Sequence, residues 1–154
     1  MPAAKAKTAG KSEFVPEVTA DQFMNIQGQV KLIRGQQIAE YRRLIEETSP
    51  DDPELPDLLF RLAEQYAQQQ RYWRFRFMEM YGKIEKAPRA KRASLTSRQN
   101  GYKKEEQKYL TEAIKIYALI ANNPKFKNYA RMDEARFHYA YMLQGATRVD
   151  LARK

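Results

Sequence analysis

The stretch that decides the fold runs from Tyr109 to Ala152 and reads YLTEAIKIYALIANNPKFKNYARMDEARFHYAYMLQGATRVDLA. Small and large residues recur at intervals of four and three residues, at Ala113, Tyr117 and Ile120. This spacing places them on one face of a helix. Asn122-Asn123-Pro124 then predicts the end of that helix, because proline cannot continue it.

A second helix is predicted over residues 130–144. Its packing residues are Tyr139, Ala140 and Leu143. Gly145 is expected to end it, since glycine commonly follows the last helical residue. Thr147 has the position of a cap for a further helix that contains Ala152. The apolar face of the second helix has little sequence after it to cover it, so we expect a fragment of a longer array, or a partner that covers the C-terminal end.

The composition is that of a folded and basic chain. Its 154 residues fit one domain, and 43% hydrophobic with 12% aromatic residues is enough for a sizeable core. Twenty-eight basic against 19 acidic residues give a net charge of +9. That balance favours an anionic partner, whether nucleic acid, a membrane surface or an acidic protein. The lack of cysteine excludes disulfides, thiolate catalysis and cysteine-based zinc sites.

The N-terminal segment 1–17 is predicted to be a disordered basic tail, and residues 18–154 form the domain. A nucleic-acid-binding arm is the alternative for the tail. No apolar run is long enough to span a bilayer, and the first residues lack the apolar part of a signal peptide. We therefore expect a cytoplasmic protein, unless a signal peptide has been removed.

The first helix is predicted to begin after Thr19, which stands in capping-box spacing with Gln22. Gly28 and Gly35 lie seven residues apart within it. The pair suggests either a close approach of another helix or a frayed beginning.

A break follows at 49–54, where two prolines flank Asp51 and Asp52. The carboxylates fit helix capping better than metal binding, since no other ligands lie near in sequence. The next helix carries packing residues at Leu59, Leu62, Ala63 and Tyr66. Gln68-Gln69-Gln70 is expected to be its exposed end or a turn.

The segment 71–77 reads RYWRFRF, with arginine and aromatic residues interleaved. Helical spacing continues beyond it, so we predict a helix over 71–86. Its rings either fill the space between helices under arginine stems or form a platform that stacks single-stranded bases.

Residues 86–104, KAPRAKRASLTSRQNGYKK, hold no acidic residue and contain an Asn100-Gly101 turn signal. We predict an exposed basic loop or a frayed helical extension, with the next helix opening near Lys103. The loop is either a docking patch for an anionic partner or simply solvated. The candidate contact residues are Arg89, Lys91, Arg92, Arg98, Lys103 and Lys104.

The packing residues resemble those of the tetratricopeptide repeat (TPR) family. The pattern from Ala113 to Pro124 looks like the second helix and exit of one repeat. Tyr139-Ala140, Leu143 and Ala152 look like the start of the next. The pattern from Leu59 to Tyr66 resembles an earlier first helix. The resemblance implies an α-solenoid of antiparallel hairpins whose concave surface holds a partner protein or peptide.

Within that family, 56–67 and 117–143 are similar to bacterial envelope repeat proteins, including gliding-motility and outer-membrane assembly proteins. The resemblance implies a scaffold in an envelope or motility complex, periplasmic or associated with the outer membrane. A basic helical nucleic-acid-binding protein is the alternative.

No motif for catalysis stands out. His138, the single histidine, lies four residues after Glu134, which is half a metal site at most. There is no glycine-rich phosphate loop and no nucleophile elbow. The sequence therefore predicts a protein that is not an enzyme and needs no cofactor.

Overall fold

The computed structural model describes residues 18–151, with side chains described as far as Thr147. The elements are α1 (Ala20–Glu47), α2 (Leu55–Lys86), α3 (Arg89–Asn122), a 3-10 turn (Pro124–Phe126) and α4 (Met132–Leu151). No strand occurs in this part of the chain, so the all-α prediction is confirmed. The predicted tail 1–17 and Ala152 lie outside the described residues.

The start of α1 is set by the predicted capping box. The Thr19 hydroxyl accepts from the Gln22 amide at 3.2 Å, and the Gln22 side chain accepts from the Thr19 amide at 3.0 Å. A Cβ added at Gly28 or Gly35 would meet nothing within 4 Å. The glycines therefore do not mark a close approach of another described helix.

α2 is one helix of 32 residues, so the predicted exposed end or turn at 68–70 is wrong. Gln69 and Gln70 are buried, and each has a partner for its side chain. The Arg34 guanidinium donates to Gln69 at 2.9 Å, and the Gln70 amide donates to the Glu106 carboxylate at 2.9 Å. Because these polar groups are satisfied inside the fold, the helix continues through them.

The predicted loop at 86–104 is also wrong, because α3 begins at Arg89 and runs straight through Asn100-Gly101. Only Ala87 and Pro88 separate α2 from α3. Ala87 is extended, as expected before a proline, and Pro88 stands directly before the first helical residue. The two helices thus form a hairpin with a very short turn.

The end of α3 confirms the prediction from Asn122-Asn123-Pro124. Asn123 is the C-cap residue of α3. Its side chain accepts a hydrogen bond from the Lys125 amide at 3.0 Å, at the start of the 3-10 turn. α4, however, does not stop at Gly145. Thr147 does not cap a further helix either, since its hydroxyl donates to the Leu143 carbonyl at 2.8 Å within α4.

α2 lies at the centre, with α1 packed on one side and α3 on the other, and α4 packs mainly against α3. The core surrounds Phe60, whose ring lies 5.8 Å from that of Tyr117 and 6.0 Å from that of His138. The predicted packing residues in this core are Leu59, Leu62, Ala63, Tyr66, Ala113, Tyr117 and Ile120. Tyr139 is half-buried, whereas Pro124, Ala140 and Leu143 are exposed.

Candidate interaction surface

The outer half of the α2–α3 hairpin, residues 71–104, is strongly basic, and we call it the basic arm. It contains eleven lysine or arginine residues and two glutamates. Both ion pairs within it use Glu79, which lies 3.5 Å from Arg76 and 3.1 Å from Lys83. Most of the positive charge on the arm is therefore available to an anionic partner.

The arm is held together by polar and aromatic contacts between its two helices. The Trp73 ring lies 5.6 Å from that of Tyr102, and Arg76 donates to the Tyr102 hydroxyl at 3.2 Å. Further out, the buried Gln99 amide donates to the Phe77 carbonyl at 3.4 Å. Side-chain contacts thus join α2 and α3 at several levels along the arm, and the basic side chains project from this pair of helices.

The predicted contact residues lie around this arm and not on a loop. Arg89, Lys91, Arg92, Arg98 and Lys104 are exposed. Lys103 is half-buried, with its ammonium 5.7 Å from the centre of the Phe77 ring. Arg92 donates to the Ala87 carbonyl at 3.0 Å, which ties the first turn of α3 to the end of α2.

The rings of 71–77 are half-buried or exposed, and each contacts another ring. Trp73 lies between Tyr72 and Tyr102, and the Lys31 ammonium is 4.8 Å from the Trp73 ring centre. Phe75 is exposed but meets Phe23 edge-on at 6.2 Å. Trp73 thus fills space between α2 and α3, while Phe75 keeps about half of its surface exposed.

An open groove crosses α2 between α1 and α3, at the inner end of the basic arm. Its volume is about 490 Å³, and we call it the central groove. Tyr66 and Tyr109 lie on its floor and wall, 6.1 Å apart between ring centres. The lining residues are Ile38, Arg42, Leu62, Tyr66, Lys108, Tyr109, Glu112 and Ile116.

The apolar residues of the N-terminal half of α1 recur at helical spacing in the sequence, but the structure exposes them, and we call this row the outer seam of α1. Phe23, Ile26, Val30 and Ile33 are 44%, 51%, 37% and 55% exposed, at alternating spacings of three and four. The residue after each of them faces α2 instead, and that inner row is largely polar: Met24, Gln27, Lys31 and Arg34. Of the more apolar outer row, Phe23 also meets Phe75 of α2 at its edge, and Ile26, Val30 and Ile33 point away from the core.

Negative charge collects at the other end of the molecule, around the turn between α1 and α2. Residues 40–64 contain eight acidic and three basic residues. Some carboxylates are paired, as in Arg43 with Glu40 at 2.6 Å and Lys125 with Asp51 at 2.6 Å. The protein is therefore an elongated molecule with one basic and one acidic end.

The candidate metal pair does not form a site. Glu134 is paired with Arg131 at 2.8 Å, and the His138 ring stacks on Tyr117 at 5.3 Å. Within the described part of the chain, no group of three His, Asp or Glu side chains is arranged to hold a metal ion. Asp51 and Asp52 have local roles instead, since Asp52 accepts from the Glu54 amide at 2.8 Å beside the start of α2.

Comparisons with protein-family models, with curated proteins and with solved structures give no match to this chain. Between residues 18 and 151, none of the helices has the length and apolar character needed to cross a membrane.

Proposed function

We propose that this protein is a protein-interaction scaffold that holds an acidic partner segment in the central groove. The observation that carries the proposal is the position of this groove. It is open, contains two tyrosines, and begins where the basic arm begins. Lys108 on its rim lies one helical turn from Lys104 of the arm. A peptide seated against Tyr109 would therefore extend onto positive charge.

The chemistry of the groove fits a helical or extended peptide with few anchors. Tyr109 offers a partly exposed ring with a polar hydroxyl, a combination common at protein interfaces, and the buried Tyr66 supports it from below. Arg42 and Lys108 flank them and would pair with carboxylates on the peptide. A partner with apolar anchors on one helical face and acids beside them matches this groove.

The TPR-like part of the proposal is limited to the C-terminal hairpin. α2 and α3 have 32 and 34 residues, so each is about as long as a whole repeat of that family. The stretch from Ala113 to α4 still has the helix–turn–helix order of the resemblance. A role in a bacterial envelope or motility complex is supported by that resemblance alone.

A nucleic-acid-binding role is the second candidate, favoured by the net charge of the basic arm. Eleven cations over 34 residues would neutralise several phosphates. Because the rings at 71–77 contact one another and neighbouring rings, charge would be the main contribution to such binding, which would be strongly salt-dependent.

Charge reversal in the groove tests the scaffold proposal. The probe is a labelled helical peptide with apolar residues at i, i+3, i+4 and i+7 and glutamates elsewhere. We expect Lys108→Glu with Arg42→Glu to weaken its binding by more than ~10-fold, because each reversal replaces attraction by repulsion. Lys127→Glu, on the exposed α3–α4 turn, is the matched control. Equal losses in both variants, or no binding by the wild type, would contradict the proposal.

A further inference from the structure

We propose that a second copy of this chain docks on the outer seam of α1, so that the two α1 helices pair antiparallel with Ile26 of each copy opposite Val30 of the other. The seam has the alternating spacing of three and four that pairs helices through apolar side chains. It is exposed although the neighbouring inner row of α1 is largely polar. In its N-terminal half, α1 covers a largely polar row and exposes the more apolar one, although its C-terminal half packs Ile38, Tyr41 and Ile45 into the core. The N-terminal half therefore lacks a partner on its exposed side.

The charges at the two ends of the molecule favour a second copy over an unrelated partner. An antiparallel pair brings the acidic end of one copy to the basic end of the other, twice. The two α2 helices lie on the same side of the paired α1 helices, because the two-fold axis is perpendicular to the plane of that pair. Each end of α2 therefore faces the opposite end of its copy.

The helix lengths match this arrangement. In the pair, Val30 of one copy lies opposite Ile26 of the other. From that level α1 of the first copy runs seventeen residues to Glu47, whereas α1 of the other runs six residues back to Ala20. Glu47 therefore reaches about 16 Å beyond Ala20 of the other copy at about 1.5 Å per residue. Phe75 of α2 packs on Phe23 of α1, so these two residues lie at the same level. From there α2 runs eleven residues to its end, whereas α1 runs three residues back to Ala20. α2 therefore ends about 12 Å beyond Ala20 of its own chain. The end of α1 in one copy and the end of α2 in the other therefore lie at the same level along the pair to within one helical turn.

This agreement places complementary groups together. The turn of one copy with Asp51 and Glu54 comes level with Arg89 and Arg92 at the tip of the other. All four side chains are exposed in the single chain. Arg89 and Glu54 can turn toward the other copy directly, whereas Asp51 would leave or share its ion pair with Lys125 and Arg92 its hydrogen bond to the Ala87 carbonyl. The paired charges set the antiparallel direction, while the apolar seam supplies the main driving force.

Sedimentation equilibrium of the full chain tests the proposal. We expect twice the mass of one chain, and a dimer weakened by more than ~10-fold in Ile26→Glu, since an unpaired charge is costly to bury in an apolar interface. Leu32→Glu is the matched control, because Leu32 is 67% exposed on another face of the same helix. A monomer at every concentration overturns the proposal, and so does a dimer weakened equally by both variants.

The antiparallel direction of the two α1 helices is tested by cysteine cross-linking. The chain has no cysteine of its own, so only introduced cysteines can form disulfides. A mixture of Ile26→Cys and Val30→Cys chains should form a disulfide-linked heterodimer, and neither variant alone should cross-link efficiently. Efficient cross-linking of Ile26→Cys alone would indicate a parallel pair and overturn the proposal.

Charge exchange adds a rescue test. Arg89→Glu with Arg92→Glu should weaken the dimer, and adding Asp51→Lys with Glu54→Lys on the same chain should restore it. A monomer that binds anionic vesicles through the seam would overturn the dimer in favour of a membrane surface. Failure of the dimer would leave the central groove and its acidic peptide untouched, because that groove lies on another face.

Discussion

The buried residues around Phe60 show how single side chains fix the packing of three helices. Phe60 is fully buried on α2 and meets Tyr117 of α3 and His138 of α4. The Arg131 guanidinium covers its ring at 3.9 Å, which adds a cation–π contact. His138 thus acts as an aromatic packing residue here, and its ring is stacked between neighbours.

Asp57 is the residue through which pH should affect this packing. Its carboxylate accepts from Arg61 at 2.7 Å and from the Tyr129 hydroxyl at 2.9 Å. The hydrogen bond from Arg61, with a smaller contribution from Tyr129, holds the pKa of Asp57 below its ordinary value of 3.8. The unfolded chain therefore binds this proton more readily, and the stabilisation is present at neutral pH and lost as the pH falls below that value.

The corresponding prediction concerns Asp57→Asn. We expect this variant to be less stable than the wild type at neutral pH, with the two converging as the pH falls through the lowered pKa and the wild-type carboxylate protonates. Urea unfolding at several pH values measures this. Asp133→Asn, on the exposed first turn of α4, is the control. A constant difference between Asp57→Asn and the wild type across the pH range would contradict the assignment.

At the scale of elements, the sequence predicts helix ends correctly where the signal is local. Thr19 and Gln22 form the capping box that starts α1, and Asn122-Asn123-Pro124 ends α3. Both signals act through hydrogen bonds or steric limits within a few residues. Such ends can be read without knowing what packs against the helix.

The sequence is misleading where tertiary partners decide. The glutamines at 68–70 look like a surface turn, but Gln69 meets Arg34, thirty-five residues away. Asn100-Gly101 looks like a turn, but the long α2–α3 hairpin continues through it. Residues on the inner side of α3, including Gln99 and Tyr102, contact α2 and offset the weak helix propensity of glycine. α4 also continues through Gly145, and nothing in the structure explains why it does not end there.

Gly101→Ala tests directly whether 86–104 is helical. Gly101 is exposed within α3, and an added Cβ would meet nothing within 4 Å. We expect the substitution to raise the free energy of unfolding by about 0.5–1 kcal/mol, because alanine loses less backbone entropy in a helix. Ala93→Gly, also exposed on α3, should lower it by a similar amount. No change in either variant would favour the loop that the composition suggests.

At the scale of the whole molecule, the candidate surface follows from how the helices are joined. The sequence identifies the basic residues at 86–104 correctly as a group, yet it places them on a loop. In the structure, the hairpin turn at Ala87-Pro88 puts them on a long, braced arm. The central groove could not be predicted, because its walls come from α1 and α3, which lie far apart in sequence and are brought together by packing on α2.

The charge separation along the molecule has the same origin. The acids at 40–64 and the bases at 71–104 are adjacent in sequence, and α2 carries them to opposite ends of one long helix. This charge distribution would draw anionic partners toward the basic end. Both the proposed acidic protein partner and a nucleic acid would respond to it, so salt dependence must separate the two.

The most direct test is a pair of anisotropy titrations of the full wild-type chain, one with the acidic helical peptide and one with a single-stranded oligonucleotide, over a range of salt concentrations. We predict that the peptide remains bound at about 0.15 M salt because it has apolar anchors, and that oligonucleotide binding falls away once charges are screened. Micromolar oligonucleotide binding with a steep salt dependence, together with no binding of the peptide, would contradict the scaffold function.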